Sequence, residues 1–500
     1  MNMKPNVTHK FNQNDHKLKV SDNIILDTDT YKTTHWMFLE ENTELTVAYL
    51  ESRIGGMFDK MVMFGTQYVM GRDIFKKKVT MKMIKQAKRL LTAHGTKFNE
   101  EGWKYLLKEH NGHLPIKVKA VREGSIVPTN NAVIVVESTD PKFNAAWAAT
   151  YIETCLMRIW YPITIATLDF AMKKIIYKYL DISGDPASTE HRLVDFGSRG
   201  VTSEEQAAIG GAAHCIGFQS TDNLKGIAML MDEYDDGIDP DGDDELIIPA
   251  FGIAATEHAV TISRKQENEF EFYKDIVERV LPQTGISSVV IDSYNPFKAI
   301  EMFAELDDLI KKNGIIVLRP DSGEPVEMVE QIIKKAMECF GYSINKKGYK
   351  VLPDHIRVIQ GDGINLKTLE DILENLISKD YSSDNIVFGS GGGLLQSVTR
   401  DSMRFALKVC HTVVDGESRD VRKIPSTDMT KASKGGILDL VKDAITGDIR
   451  TVNQHDKLEP TEVSILETIY EDGEYYVWED WSTIRKRLNE QEAEEFKYTV

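Results

Sequence analysis

The sequence predicts an α/β fold, a distorted (β/α) barrel carrying an additional α+β domain built from the N-terminal region and the C-terminal end. Three observations predict it. From about residue 190 onward, short β-branched runs end in polar loops and are followed by segments of helical period. Before residue 185 the apolar positions alternate instead, as in half-buried strands. The length of 500 residues favours two or three domains over one core. The division that follows is a disordered tail over 1–20, an α+β domain over 21–185 plus 455–500, and a barrel over 186–454 bearing most of the candidate site.

Eight runs read as barrel strands: "RLVDFG", "CIGFQSTD", "IIPAFGIA", "SSVVIDSY", "GIIVLRPDSG", "HIRVIQGDG", "NIVFGSGGG" and "FALKVCHTVV". Uneven spacing between them favours a distorted barrel over a regular one. The helices between carry boundary signals. Thr202 with Glu205 fits a capping box. Asn295-Pro296 and Glu324-Pro325 place proline in a first turn, and Gly314 and Gly341 close the helices so opened. Earlier in the chain, "TVAYLESRI", "IKVKAV" and "AVIVVES" alternate as strands, and "MKMIKQAKRLLTAHG" is a helix. The end, "SILETIYEDGEYYVWEDWSTIRKRL", reads as a hairpin and a helix joining that α+β layer.

A formal net charge of −18 argues against nucleic acid or an anionic membrane as the main partner. It leaves room for a small anion held by a local cluster of Arg and Lys. Cys155, Cys215, Cys339 and Cys410 are scattered without a C-x-x-C pair, as for thiols in a reducing compartment. The first twenty residues lack the apolar stretch of a signal peptide, and no run approaches the ~18 apolar residues of a membrane span. The protein is expected to be soluble and cytoplasmic.

In barrels and open α/β sheets, ligands bind at the C-terminal ends of strands. Those ends offer Asp195 to Arg199, Thr221-Asp222, Glu257-His258, Asp292-Ser293, Arg319 to Gly323, Gly361-Asp362-Gly363 and Gly389 to Gly393. Each brings an acid, a base or bare backbone. In "FGSGGG", successive free N–H groups at a helix start form an anion nest. An isolated glycine cluster reads as a tight strand–helix turn. Arg400 and Lys408 nearby turn that reading toward a phosphate site, although neither G-K-[ST] nor G-x-G-x-x-G is present. Asp292, Asp321 and Asp362, each just after a buried run, suit Mg²⁺ through water or ribose hydroxyls. His258 stands at even odds between a structural and a catalytic role. The acidic stretch "MDEYDDGIDPDGDDELI" imitates a calcium loop. With Gly242 as the motif's glycine, however, Gly237 and Ile248 occupy the first and last ligand positions, so it reads as a solvated loop.

Taken in order, "DTDTYKTTH", "GWKYLLKEHNGHLPIKVKAVREG", "WYPITIAT", "DFGSRGV", "RPDSG", "VIQGDG" and "FGSGGGLLQSVTRD" resemble the nicotinamide phosphoribosyltransferases, type II phosphoribosyltransferases, over nearly the whole chain. The resemblance implies a homodimer with active sites shared across its interface. The implied reaction joins nicotinamide to phosphoribosyl pyrophosphate with Mg²⁺, giving nicotinamide mononucleotide and pyrophosphate. Phe196 would stack on one face of the pyridine and Tyr31 of the other subunit on the opposite face. Asp222 would accept from the carboxamide N–H₂, with Ser288 and Arg319 completing that side. Asp321, Gly361 and Asp362 would hold the ribose. Gly391, Gly392, Arg400 and Lys408 would hold the 5′-phosphate. Arg199, Arg53, Lys423 and Lys431 would surround the pyrophosphate, with Asp292 placing the metal. The resemblance also implies ATP as a co-substrate that phosphorylates His258, oriented by Glu257 or Asp292. Three departures stand out: the long acidic stretch at 232–245, Ala406 in place of a phosphate-contacting serine, and Ile437 in place of a basic residue. The rival readings are a nicotinate-using enzyme, against which Asp222 counts, and a nucleotide-binding protein without turnover.

Overall fold

The computed structural model describes residues 18–235 and 246–496. The tail over 1–17 and most of the acidic stretch, with its calcium-loop reading, lie outside them. Two hydrophobic cores organise the rest.

The first core underlies a six-stranded parallel sheet in the order Leu193–Asp195, Ile386–Ser390, Ile356–Gln360, Ile315–Arg319, Ile286–Val290, Ala254–Ala255. These strands are β-branched and nearly continuous in apolar residues, as a sheet covered on both faces requires. Single bridges, Asp195 to Thr221 and Ser220 to Phe251, span the gap between the sheet's two edges. The sheet is therefore a half-barrel. "CIGFQSTD" and "IIPAFGIA", expected as full strands, contribute these bridges and a two-residue strand.

The second core supports a seven-stranded sheet that includes Thr43–Ser52, Ile116–Ala120, Ala132–Ser138, Phe405–Val414 and the hairpin Glu467–Glu471/Glu474–Tyr475. Three corrections to the predicted division follow. Phe405–Val414, counted among the barrel strands, runs antiparallel to Thr43–Ser52, with Lys408 opposite Tyr49. Its part-buried positions, Lys408, Val409, Thr412 and Val413, show a strand not wholly enclosed. The long helix Trp160–Ser183, placed in the N-terminal domain, buries Ile165, Phe170, Ile176 and Leu180 in the half-barrel core. The final helix Trp481–Glu495 does the same with Trp481, Ile484 and Leu488, and Arg485 donates to the carbonyls of Cys215 and Pro249.

Helix boundaries follow local chemistry. Ser203, not Thr202, caps Glu204–Gly217, its hydroxyl accepting the Gln206 N–H. Asn295 accepts from Phe297 and Lys298 ahead of Pro296. That helix stops at Ala304, and a second one, Asp307–Asn313, is the one Gly314 closes. Glu324 and Gly341 bound Pro325–Phe340 as expected.

Candidate active site

All seven predicted strand ends reach the same rim, because the strands of the half-barrel are parallel and their C-terminal ends point one way. Two adjoining cavities open there, each about 430 Å³. The first is apolar and receives Phe196, Asp222, Ser288 and Arg319. The second is polar and receives Phe196, Arg199, Arg319, Asp321, Gly361, Asp362, Gly391 and Gly392. Phe196 and Arg319 belong to both, so the two form one continuous site.

Phe196 is fixed by its N–H donating to Ser390 O (2.9 Å). Its ring lies against Gly389, where an added Cβ would sit 2.0 Å from Phe196 Cε2. At Gly393 a Cβ would meet Ile364 O at 2.2 Å, whereas at Gly392 it would meet only Gln396 Oε1, at 3.6 Å. The glycine run thus serves two ends: Gly389 and Gly393 permit packing, while Gly391 and Gly392 leave backbone bare to the cavity. The Arg319 guanidinium stands 5.1 Å from the Phe196 ring centroid, a cation–π pairing that flattens one wall. Its Nη2 donates to Asp321 Oδ1 (3.2 Å), and its buried Nε has no partner among the described residues. Ser288 Oγ is likewise buried and unpartnered. Two orphan groups lining a cavity are places for a ligand's polar atoms.

Asp222 follows the bridge at Thr221, its N–H donating to Asp195 O (3.1 Å). Desolvation raises its carboxyl above the usual range, the Arg319 cation opposing and Asp195 adding to the rise. Asp195 is fully buried and organises the rim. Its Oδ1 accepts the Gly197 N–H (2.6 Å) and its Oδ2 accepts from Asn223 (2.8 Å).

Asp292 gathers the opposite side. Its Oδ1 lies 3.1 Å from His258 Nε2, and its Oδ2 accepts from Asp321 N–H (3.1 Å) and Ser322 Oγ (2.6 Å). His258 Nδ1 faces Asp321 Oδ2 at 3.9 Å. Glu257, the residue before His258, pairs loosely with Arg199 at 3.7 Å. Both Asp292 oxygens are therefore engaged, and among the described residues no three His, Cys, Asp or Glu cluster as metal ligands.

Nine predicted residues line neither cavity within one chain: Glu257, His258 and Asp292, which adjoin the polar one through Arg199 and Asp321, and Tyr31, Arg53, Arg400, Lys408, Lys423 and Lys431. Arg400 is exposed and pairs with Asp401. Tyr31, Arg53, Lys408, Lys423 and Lys431 belong to the other layer. The strand pairing explains it, since Lys408 is carried by the seven-stranded sheet. There burial lowers the Lys408 ammonium, and the cations Arg53, Lys32 and Lys423 lower it further, against the pull of Glu153. Tyr31 is 57% exposed, and Arg53 Nε is buried without a partner among the described residues.

The strand-end reading missed the depth of the apolar cavity. It continues along the sheet's inner face to Ser188, His191, Arg192 and Arg357 near the strands' N-terminal ends. The basic residues just ahead of "LVDFG" and inside "HIRVIQ" were its only signal in the sequence.

A flat apolar cavity ending in polar orphans, joined to a glycine-lined polar one at the end of a parallel sheet, marks a pentosyltransferase. The chain belongs to the nicotinate phosphoribosyltransferase (NAPRTase) family, whose model matches residues 191–473. Residues 23–118 match the nicotinamide phosphoribosyltransferase N-terminal domain. The chain is 39% identical over 475 residues to the nicotinamide phosphoribosyltransferase of Xanthomonas campestris pv. campestris, covering 94% of this chain and 97% of that protein. It is 29% identical over 511 residues to the one from Acinetobacter baylyi, with the same coverages of 94% and 97%. Among solved structures, nicotinate-nucleotide pyrophosphorylase from Pyrococcus furiosus superposes with a TM-score of 0.63 at 18% identity, covering 97% of this chain and 99% of that one. Human nicotinic acid phosphoribosyltransferase gives 0.54 at 12% identity, over 92% of each chain. At these identities the two structures speak to the fold alone.

Proposed function

We propose that the protein transfers the phosphoribosyl group of phosphoribosyl pyrophosphate to nicotinamide, giving nicotinamide mononucleotide and pyrophosphate in NAD salvage. The observation that carries this reading is the pair of joined cavities sharing Phe196 and Arg319. The pyridine stacks on Phe196. Its carboxamide N–H₂ donates to Asp222, and its carbonyl meets Ser288 Oγ and Arg319, satisfying the orphan groups. Nicotinate would set a second carboxylate against Asp222, an unfavourable pairing that selects for the neutral amide.

In the polar cavity, Asp321, Gly361 and Asp362 hold the ribose, Gly391 and Gly392 the 5′-phosphate, and Arg199 the pyrophosphate. The displacement passes through a cationic sugar, so positioning and charge stabilisation supply the catalysis and no protein nucleophile is needed. The residues fit magnesium only through water, with Asp321 and Asp292 meeting the hydration shell of an ion brought by the pyrophosphate. Bound there, the ion would neutralise departing charge.

The six cations and aromatics outside the cavities, Tyr31, Arg53, Arg400, Lys408, Lys423 and Lys431, complete the site from a second subunit of a homodimer. His258, oriented by Asp292, accepts a phosphoryl group from ATP and so couples ATP hydrolysis to transfer. The single bridges at Thr221 and Phe251 close the half-barrel into a distorted barrel. The protein works in the cytoplasm; among the described residues, no helix is long and apolar enough to cross a membrane.

The test is to incubate the pure protein with phosphoribosyl pyrophosphate and Mg²⁺, with nicotinamide or nicotinate, with and without ATP. The mononucleotide forms from nicotinamide and not from nicotinate, and ATP raises its yield. No product from nicotinamide would overturn the proposal, and equal use of both bases would remove the role of Asp222.

A further inference from the structure

The residues Phe218 to Asn223 bear Asp222, yet they form no regular strand. They lie in the gap of the half-barrel, held to their neighbours by the bridges at Ser220 and Thr221. A strand in a full ladder has its height and register set by many backbone hydrogen bonds. Here, among the described residues, the neighbours supply Gln219 N–H to Glu190 O (2.8 Å), Thr221 N–H to Phe251 O (2.9 Å), Phe251 N–H to Gln219 O (2.9 Å) and Asp222 N–H to Asp195 O (3.1 Å).

Directly behind this segment lies His214, in the helix Glu204–Gly217 and fully buried. Its Nδ1 is 3.0 Å from Asp169 Oδ2 and its Nε2 is 3.0 Å from Ser220 O. Ser220 O can only accept, so Nε2 carries a proton; against an ionised Asp169, Nδ1 carries one as well. Its ring stacks on Phe218 at 5.3 Å. The titratable groups around it are Asp169 and Lys173 of the helix Trp160–Ser183 and Asp195 of the sheet. Burial alone would lower the His214 pKa, but Asp169 and Asp195 lift it to about 9. A buried ion pair is a poor source of stability, because desolvation offsets the attraction. Its geometric value is a charge-assisted hydrogen bond on one backbone carbonyl, two residues before Asp222.

We infer that His214, held by Asp169, is a positioning residue for base selection: its Nε2–H fixes Ser220 O and thereby the height of the Asp222 carboxylate in the apolar cavity. The inference rests on the reading of Asp222 proposed above.

Two substitutions divide the ring's functions. His214→Asn keeps a donor near the Nδ1 position and loses the one on Ser220 O, while His214→Gln keeps a donor near the Nε2 position. His214→Asn raises KM for nicotinamide about tenfold, leaves KM for phosphoribosyl pyrophosphate within about twofold, and lowers the preference for nicotinamide over nicotinate. His214→Gln returns KM for nicotinamide to within about threefold of the wild type. An unchanged nicotinamide KM in folded His214→Asn, or equal losses in both variants and for both substrates, would overturn the inference. Should neither variant fold, ¹⁵N spectra of the wild-type protein decide. An Nε2–H signal for His214 at neutral pH supports the clamp, and a ring protonated at Nδ1 alone refutes it. Asp222→Asn serves as the control. Unchanged base choice there defeats the reading of Asp222 itself, whereas altered choice there with an inert His214→Asn defeats only the clamp.

Discussion

The rim of the half-barrel and the cationic face of the seven-stranded sheet are built in opposite ways. The rim collects seven chain segments, and its polar atoms are held by one another: Asp195 by Gly197 and Asn223, Asp292 by His258, Asp321 and Ser322. The cationic face gathers Arg53, Lys32 and Lys423 around Lys408, whose charge Glu153 favours. The first region resembles a finished binding site, preorganised without ligand. In the second, Glu153 pairs with Lys32 while Arg53, Lys32 and Lys423 repel the Lys408 ammonium. That difference supports the proposal that the two regions are parts of one site, joined by subunit association.

Substitutions that damage one region should leave a different signature from those in the other. The largest effect belongs to Gly389→Ala, whose Cβ would occupy the place of the Phe196 ring. We expect kcat/KM to fall about 100-fold as the ring leaves its stacking position. Gly392→Ala, which keeps its N–H and whose Cβ meets only Gln396 Oε1 at 3.6 Å, stays within about fivefold in the same assay. Next, Lys408→Ala removes a cation from the opposite face. It raises KM for phosphoribosyl pyrophosphate about 30-fold while leaving KM for nicotinamide nearly unchanged, because only the anionic substrate reaches that face. A matching rise in both KM values would merge the two regions' roles.

Asp222→Asn has a smaller effect on rate than on choice. It narrows the preference for nicotinamide over nicotinate by about tenfold, read from competing turnover. The smallest effect lies at the seam of the two layers, where Glu123 is buried beneath Gln67 and its carbonyl accepts from Arg487. Desolvation pushes its carboxyl up to about 7, above an unfolded value of about 4.3. The folded chain therefore holds a proton that the unfolded chain has lost. Its stabilisation is complete below about pH 4 and disappears as pH rises through 7. Glu123→Gln should raise unfolding stability above pH 8 by about 1–3 kcal/mol, do little near pH 4, and leave base choice alone.

Much of this was legible in the sequence wherever a residue's partners are local or its strand is fully buried. The runs ending in Asp195, Asp292, Arg319 and Gly361 are β-branched and end abruptly in polar residues, so their strand ends could be read directly. "FALKVCHTVV" carries the same composition, yet pairs with Thr43–Ser52. Composition reports burial and not partner. The C-terminal helix Trp481–Glu495 was read as a helix and assigned to the wrong core, because amphipathic period does not say which sheet a face covers; Trp160–Ser183 was placed in the N-terminal domain by its position in the chain alone. The glycine run was recognised as exceptional, but the packing of Phe196 on Gly389 depends on two segments almost two hundred residues apart. His214 gave no signal, as its two acceptors lie in other elements or around a turn.

The most direct test of the split site mixes two inactive proteins. Tyr31→Ala removes a ring from the cationic face, and Arg199→Ala removes a cation from the rim. After subunit exchange, half of the dimers are mixed, and each holds one site with both lesions and one with neither. The account predicts recovery of about a quarter of wild-type activity. No recovery, with exchange demonstrated by differential labelling, would contradict it.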